Sequence, residues 1–309
     1  MSGSAHRGLA PAKLNLWLAI RGRRPDGFHE LATLMLALDL ADELTVRATT
    51  ERRGTSLTLG GPVASPDIPL DGRNLVLRAA EAVRASLEER TGVDAPGLEL
   101  ELVKRVPSQA GLGGGSADAA TALELACRAL EHDPGPAWRQ ATLASLGSDC
   151  VFFHEVGDSA LALCEGRGER VSPLEGSPPS WSIGLLVPEL RCPTAEVFRA
   201  LPGVTRVAGE ELPTADLARM GASEARERLV TDLEPAALAA VPGLRAWREL
   251  LDREEASHFR LSGSGSAWFG LFDAPELAQE TLSRLEDRAA RAGLGLRLAT
   301  VTCAAGARR

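Results

Sequence analysis

An α+β chain in two domains is what this sequence predicts, and three observations predict it. The chain has 309 residues, and at about 100 to 200 residues per domain that length calls for two. Segments of clean two-residue alternation stand beside segments with the three-and-four spacing of helices. They follow one another irregularly, without the steady βαβ beat of a doubly wound sheet. The boundary is expected where the "EGRGER" turn gives way to the proline-rich "EGSPPS", dividing the chain into 1–175 and 176–309.

Each element follows from its local pattern. Residues 13–21, "KLNLWLAIR", place Leu14, Leu16, Leu18 and Ile20 on one face and Lys13, Asn15 and Trp17 on the other, which is a strand. "RRPDGFH" is a turn, since proline presets φ and glycine accepts positive φ. A second strand is expected over 31–47. Residues 74–90 spell an amphipathic helix with Leu75, Ala79, Val83 and Leu87 in one stripe. "LELELV" (98–103) alternates again and is stopped by Pro107. A glycine loop follows, then a helix from Ser116 to about Leu130 with Ala119, Leu123 and Leu130 inward. A short helix over 137–146 ends at "GSDC", and strands are expected near 159–164 and 181–187. The second half reads as helices over 194–201, 214–229 and 236–253, then a strand–turn–strand over 258–272. A helix over 275–292 and a strand over 295–302 close the chain.

Composition narrows the function. With 44% hydrophobic and 25% charged residues the chain buries an ordinary globular core. A formal net charge of −8 argues against nucleic acid or an anionic membrane as the main partner. A bound polyanion therefore needs a local site. Five cysteines without CxxC spacing carry no zinc signature and point to a reducing, cytoplasmic compartment. The N-terminus has no basic-then-apolar signal pattern. No apolar run approaches the ~18 residues of a membrane span. A monomer or homodimer acting on a small molecule is the expectation. His6, His132, His154 and His258 read as surface or loop histidines.

The stretch from Pro107 to Ser116 has the look of a phosphate loop, with Gly111, Gly113, Gly114 and Gly115. It lacks the lysine of a GxxxxGK[ST] loop, and Ser116 stands where the GxGxxG fingerprint needs its last glycine. What remains is a strand, a glycine loop and a helix start. That arrangement turns free N–H groups toward one point and lets backbone approach an anion with no Cβ in the way. A helix dipole contributes about 0.3–1 kcal/mol, too little for a triphosphate. Main-chain groups along Ser108, Gln109, Ala110, Gly111, Leu112, Gly113, Gly114 and Gly115, together with a metal, would carry the rest. The Ser116 hydroxyl could reach Mg²⁺ or a phosphate oxygen. The plain alternative is a glycine-rich turn capped by Ser116.

Three separated stretches, 11–31, 106–123 and 261–272, resemble the signature motifs of the GHMP kinases. That superfamily includes galactokinase, homoserine kinase and mevalonate kinase. "GRRPDGFHEL", within the first motif, is similar to the substrate-side signature of members acting on a cytidine-diphosphate-linked methylerythritol in the non-mevalonate isoprenoid pathway. "RNLVLRAA" (73–80), "LGSDCVFF" (146–153) and "TDLEPAAL" (231–238) extend the match in order, so it spans nearly the whole chain. The resemblance implies ATP-dependent phosphorylation of a tertiary hydroxyl, with ATP and Mg²⁺ as cofactors. It also implies a two-domain GHMP kinase fold. The N-terminal half would be ribosomal-S5-domain-2-like with a left-handed βαβ element, and the C-terminal half ferredoxin-like.

By the same resemblance Asp149 is the catalytic aspartate and Lys13 its lysine partner. The chemistry agrees. A carboxylate near pKa ~4 does not deprotonate in advance an alcohol near that of water, about 15. In a loose phosphoryl-transfer transition state the proton leaves late, so positioning and charge count for more than basicity. A neighbouring lysine keeps the aspartate ionised. Read without the motifs, Lys13 is a solvated strand-end charge and Asp149 a turn residue. Asn15 shares Lys13's strand face and could hold the acceptor hydroxyl. Phe28 and His29 match the aromatic–histidine pair that recognises cytosine, with Phe where the family usually has Tyr. Stacking needs only the ring face. Thr194 and Phe198 match a second aromatic on the cytosine side. Otherwise His29 is a turn histidine and Phe198 a helix core residue. Asn74 and Lys104 match positions near the adenine and ribose, or else are a helix N-cap and an exposed strand charge. Ser262 to Gly265 form a tight turn beside the phosphate loop.

The chain departs from the family pattern in places. Ser108 and Gln109 replace small or apolar residues, Cys150-Val151 replaces Val-Pro after the aspartate, and Thr231 replaces Asn. Two alternatives stand beside the main reading: another GHMP small-molecule kinase with a shifted acceptor, and a non-catalytic nucleotide-binding relative. Loss of Lys13 or Asp149 would mark the latter, and both are present.

Overall fold

The alternation at 13–21 extends in both directions, so the first strand, β1, runs over Ser2–Arg23 in the computed structural model, which describes residues 2–51, 53–201 and 216–307. After it come β2 (His29–Thr49), β3 (Thr55–Gly60), α1 (Leu75–Thr91), β4 (Gly97–Val103) and α2 (Gly114–Ala129). Next are α3 (Pro136–Leu146), α4 (Ser148–Glu155), β5 (Leu161–Gly166), β6 (Arg170–Pro173) and β7 (Ser182–Pro188). The remainder is α5 (Thr194–Arg199), α6 (Ala222–Arg228), β8 (Val230–Thr231), α7 (Glu234–Ala240) and α8 (Gly243–Arg253), followed by β9 (Arg260–Leu261), β10 (Trp268–Phe272), α9 (Pro275–Arg291) and β11 (Leu296–Thr302). Residues 214 and 215, where the expected 214–229 helix begins, lie outside the described residues.

The chain packs as two compact units, each assembled from segments distant in sequence. One takes Met1–Ala12, Leu40–Ser108 and Gly113–Glu155; the other takes Lys13–Asp39, Gln109–Leu112 and Val156–Arg309. A single linear boundary cannot describe this division, because β1 and β2 each give one end to either unit.

In the first unit β4 pairs parallel with β3 and antiparallel with Glu43–Thr49 of β2. α1 is the crossover between β3 and β4. It starts where the Asn74 side chain accepts the Val76 N–H at 2.9 Å and stops at Gly92, whose φ of 69° is left-handed. Its buried stripe is Val76, Leu77, Ala79, Ala80 and Val83, while Leu75 and Leu87 are only half-buried. The helix is thus rotated slightly from the expected stripe. α2 buries Ala119 and Leu123 as expected and leaves Leu130 half-buried. Its further buried alanines, 117, 120, 122 and 126, leave room for the close approach of α1. "GSDC" is not a turn: Gly147 is extended and α4 begins at Ser148. His132 is not on the surface; it is buried with Nε2 3.0 Å from the Ser86 hydroxyl.

In the second unit β7, β9, β10 and β11 form an antiparallel sheet ordered β11-β7-β10-β9. Helices follow β7 and β10, which is the ferredoxin-like pattern. Pro242 splits the expected 236–253 helix into α7 and α8, because proline lacks the N–H that would continue it. Trp247, Phe259, Trp268, Phe272 and Leu282 share the core here. β5 pairs antiparallel with Leu31–Leu36 of β2, and β6 with β5. β6 is short and ends in Pro173, a weak strand signal. Among the described residues no helix is long and apolar enough to cross a membrane.

A Cβ on Gly270 would lie 2.6 Å from the Phe259 ring. Gly270→Ala is expected to destabilise the fold by about 1–3 kcal/mol through overpacking, read as a lower urea midpoint; an unchanged midpoint would mean the ring moves aside freely.

Candidate active site

Lys13 is not solvated. It is 4% exposed in the second unit, and its ammonium donates to Asn15 Oδ1 at 2.6 Å. Asn15 Nδ2 donates to Thr33 Oγ1 at 2.8 Å, and the Thr33 hydroxyl donates to the Trp17 carbonyl at 2.8 Å. The chain of bonds fixes both side chains on the face of β1 that alternation marks as polar. Both faces of β1 here are buried.

The glycine loop reaches this cluster through main chain. The Lys13 N–H donates to the Leu112 carbonyl at 2.9 Å, and the Ser262 hydroxyl donates to the Gly111 carbonyl at 3.0 Å. Gly111 has φ 76°, and a Cβ there would sit 2.1 Å from the Ser262 carbonyl oxygen. Only glycine allows that approach. Gly263 is held the same way: its Cβ would meet Asn15 Oδ1 at 2.8 Å and Lys13 Nζ at 3.5 Å. Within this unit the 262–267 turn therefore packs beside the loop, as the motif implies. Gln109 has φ 54°, a left-handed conformation that favours glycine.

In the first unit Gly113, with φ 70°, occupies the cap position before α2, and no side chain caps the helix. Ser116 is therefore not the cap. The Gly114 and Gly115 N–H groups lie in the first turn and have no intrahelical acceptor. A Cβ on Gly115 would meet nothing within 4 Å, so the helix start opens onto free space. Burial pushes the Cys150 thiol up to about 12, against the opposing effect of a bond from the Ser116 hydroxyl. Cys150 is a packed thiol, not a nucleophile. Asp149 precedes it in the first turn of α4.

Lys104 is not an exposed strand charge. It is 3% exposed, with its ammonium 2.7 Å from Asp118 Oδ2 and bonded also to Asp42. Asp42 Oδ1 accepts the Val106 N–H at 2.8 Å and the Arg105 N–H. Burial works against the charged lysine, but Asp118 and Asp42 outweigh it and hold its ammonium above its ordinary value. A Cβ on Gly114 would lie 3.4 Å from Lys104 Nζ, so the triad supports the start of α2 from beneath. Asp42 and Asp118 escape sequence reasoning; the one signal is an acid inside the otherwise apolar run "ADAA". Asn74 caps α1, with its amide nitrogen donating to the Pro69 carbonyl at 2.7 Å.

The structure pairs His29 with Phe198, ring centroids 5.2 Å apart. Phe28 is separate from that pair, 54% exposed, with the Arg167 guanidinium 5.0 Å over its ring. Burial, then the Arg23 charge, lowers the His29 pKa below its ordinary value, leaving a neutral imidazole with one donor and one acceptor near pH 7. The Thr194 hydroxyl lies 3.0 Å from that of Ser264, tying α5 to the 262–267 turn. Among the described residues no group of three His, Cys, Asp or Glu could hold a metal.

Two family models match the chain: the GHMP kinases N terminal domain over residues 74–165 and the GHMP kinases C terminal domain over 210–291. The chain belongs to the GHMP kinase family. A 4-diphosphocytidyl-2-C-methyl-D-erythritol kinase of Salinibacter ruber is 36% identical, covering 92% of this GHMP kinase and 96% of its own length. One of Pelotomaculum thermopropionicum is 37% identical, covering 89% and 92%. A crystal structure of 4-(cytidine 5'-diphospho)-2C-methyl-D-erythritol kinase matches with TM-score 0.70 and 34% identity, covering 96% of this chain and 99% of its own. A homoserine kinase from Cytophaga hutchinsonii, at 19% identity and TM-score 0.64 over 97% and 95%, shares the fold. This GHMP kinase thus has the two-domain family fold and uses ATP.

Burial first, then the Asp42 charge, raises Asp118 to about 7 against the pull of Lys104. The fold then holds a proton that the unfolded chain releases near its ordinary pKa of 3.8. Stability falls as pH rises between those values and levels off above them. Asp118→Asn, neutral and of like shape, should flatten that fall in thermal unfolding midpoints taken from pH 4 to 8; identical slopes for both proteins would contradict it.

Proposed function

We propose that this GHMP kinase transfers the γ-phosphate of ATP to the 2-hydroxyl of 4-diphosphocytidyl-2-C-methyl-D-erythritol, in the non-mevalonate isoprenoid pathway. The observation that carries the reading is the match, along nearly the full length of both chains, to relatives bearing that name. The ring pair of His29 and Phe198, in the same unit as Lys13 and Asn15, supports it.

The chemistry divides by residue. The Gly114 and Gly115 amides and the α2 dipole bind the nucleotide's phosphates, where Gly115 leaves space. Asn74 and Lys104 act on this nucleotide side through the backbone they brace, the start of α1 and the floor of the loop. Asp149 accepts the acceptor's proton as the new O–P bond forms, and Lys13 stabilises the charge developing there. Asn15 orients Lys13 and keeps one amide hydrogen for the acceptor hydroxyl. Neutral His29 presents a donor and an acceptor to the cytosine edge, and Phe28 and Phe198 offer ring faces. Thr194 sets the position of α5, which carries Phe198. Mg²⁺ suits this small donor set, since it keeps waters and binds through few protein groups plus phosphates. The Ser116 hydroxyl and phosphate oxygens would hold it, and it would neutralise phosphate charge. All five cysteines are free thiols, which agrees with a cytoplasmic enzyme.

A coupled ADP-release assay against the cytidine-linked acceptor, homoserine and mevalonate tests the reading. Turnover on either of the last two in preference to the first would replace it. Asp149→Asn should lower kcat by about 100-fold or more with ATP still bound; near-normal turnover would remove Asp149 from the mechanism. Phe28→Ala should raise KM for the acceptor about tenfold, in line with base–aromatic stacking, and leave KM for ATP alone. Equal rises in both would count against a stacking role.

A further inference from the structure

The "EGRGER" hairpin plays no part in the chemistry above, yet its tip stands over a residue that does. Gly166 and Gly168, with φ 77° and 108°, turn β5 into β6 and leave Arg167 between them. Three neighbouring arginines are engaged. Arg21 bonds Glu165 at 2.7 Å, Arg24 bonds Glu30 at 2.7 Å and Asp26 at 3.0 Å, and Arg170 bonds Glu30 at 3.0 Å. Arg167 differs. Its ion pair with Glu169 spans 3.7 Å from Nε, too long for a hydrogen bond, and the Asp26 carboxylate feels its charge. The other oxygen of Glu169 accepts the Arg167 backbone N–H at 2.6 Å instead. Among the described residues the guanidinium makes no hydrogen bond, so its planar fork of donors is open, above a Phe28 ring that is 54% exposed.

A flat ring beside an open guanidinium matches a ligand with a stacking base and, one ribose away, a diphosphate. Arginine binds phosphate oxygens in a bidentate way that a lone ammonium cannot. We propose that Arg167 is a specificity-determining residue for the acceptor, donating to its diphosphate while Phe28 carries the base. The inference rests on the cytidine-linked acceptor proposed above. It adds a charge contact that the two aromatic positions do not provide.

Calorimetric binding of cytidine and of cytidine 5'-diphosphate to the full chain separates the outcomes. Arg167→Gln should weaken the diphosphate roughly 10- to 100-fold, the range for a hydrogen bond to a charged group, and leave cytidine unchanged. Arg167→Lys, keeping the charge without the fork, should fall between the wild type and Arg167→Gln. An equal loss of both ligands would make Arg167 a support for the ring only and overturn the proposal, as would no loss of either. If the wild-type protein binds neither ligand, the cytidine reading itself falls and takes this one with it. Wild-type binding of both, with an indifferent Arg167→Gln, removes this inference alone.

Discussion

Where Gly111 lies against the carbonyl of Ser262, two main chains come closer than any side chain permits. That approach sets the geometry around Lys13 and Asn15. It lets the Ser262 hydroxyl reach the Gly111 carbonyl, and it holds Leu112 where its own carbonyl receives the Lys13 N–H. Lys13 and Asn15 are thereby anchored to the loop by backbone, independent of any ligand. Glycine at 111 and 263 follows as a steric requirement.

Buried charge does the corresponding work in the other unit. Two carboxylates and one ammonium, Asp42, Asp118 and Lys104, lie together out of water under the start of α2. Such a group is costly to bury and costlier to break, because removing one partner strands the others. Asp42 also receives two loop N–H groups, so the triad ties the loop's backbone to the strand beneath it. The α2 N-terminus above carries no side-chain cap. The Ser116 and Ala117 N–H groups bond the Gly113 carbonyl, while those of Gly114 and Gly115 have no acceptor within the helix.

Much of this was legible in the residues themselves. The alternation at 13–21, the Asn74 cap and the glycine loop before an alanine-rich helix each correspond to an observed element. Pro242 ends a helix that apolar spacing alone would run through, and the proline itself was the available sign. The start of α4 at Ser148 was hidden by "GS", which reads as turn chemistry. For His29 the neighbour in sequence, Phe28, is not its ring partner; Phe198 is. Side chains adjacent in an extended segment point apart, so the pairing depends on which distant helix arrives.

By itself the sequence determined the periodicities, the glycines that must be glycines, and the ordered motifs that mark a GHMP kinase. These are local properties, written in spacing and in allowed φ. Tertiary structure alone decided that Lys13 and Lys104 are buried, what each is bonded to, and that Lys13–Asp39 packs with the C-terminal residues. The reason is physical. Burial and ion pairing depend on groups far apart along the chain, and no local pattern records what folding brings beside a side chain.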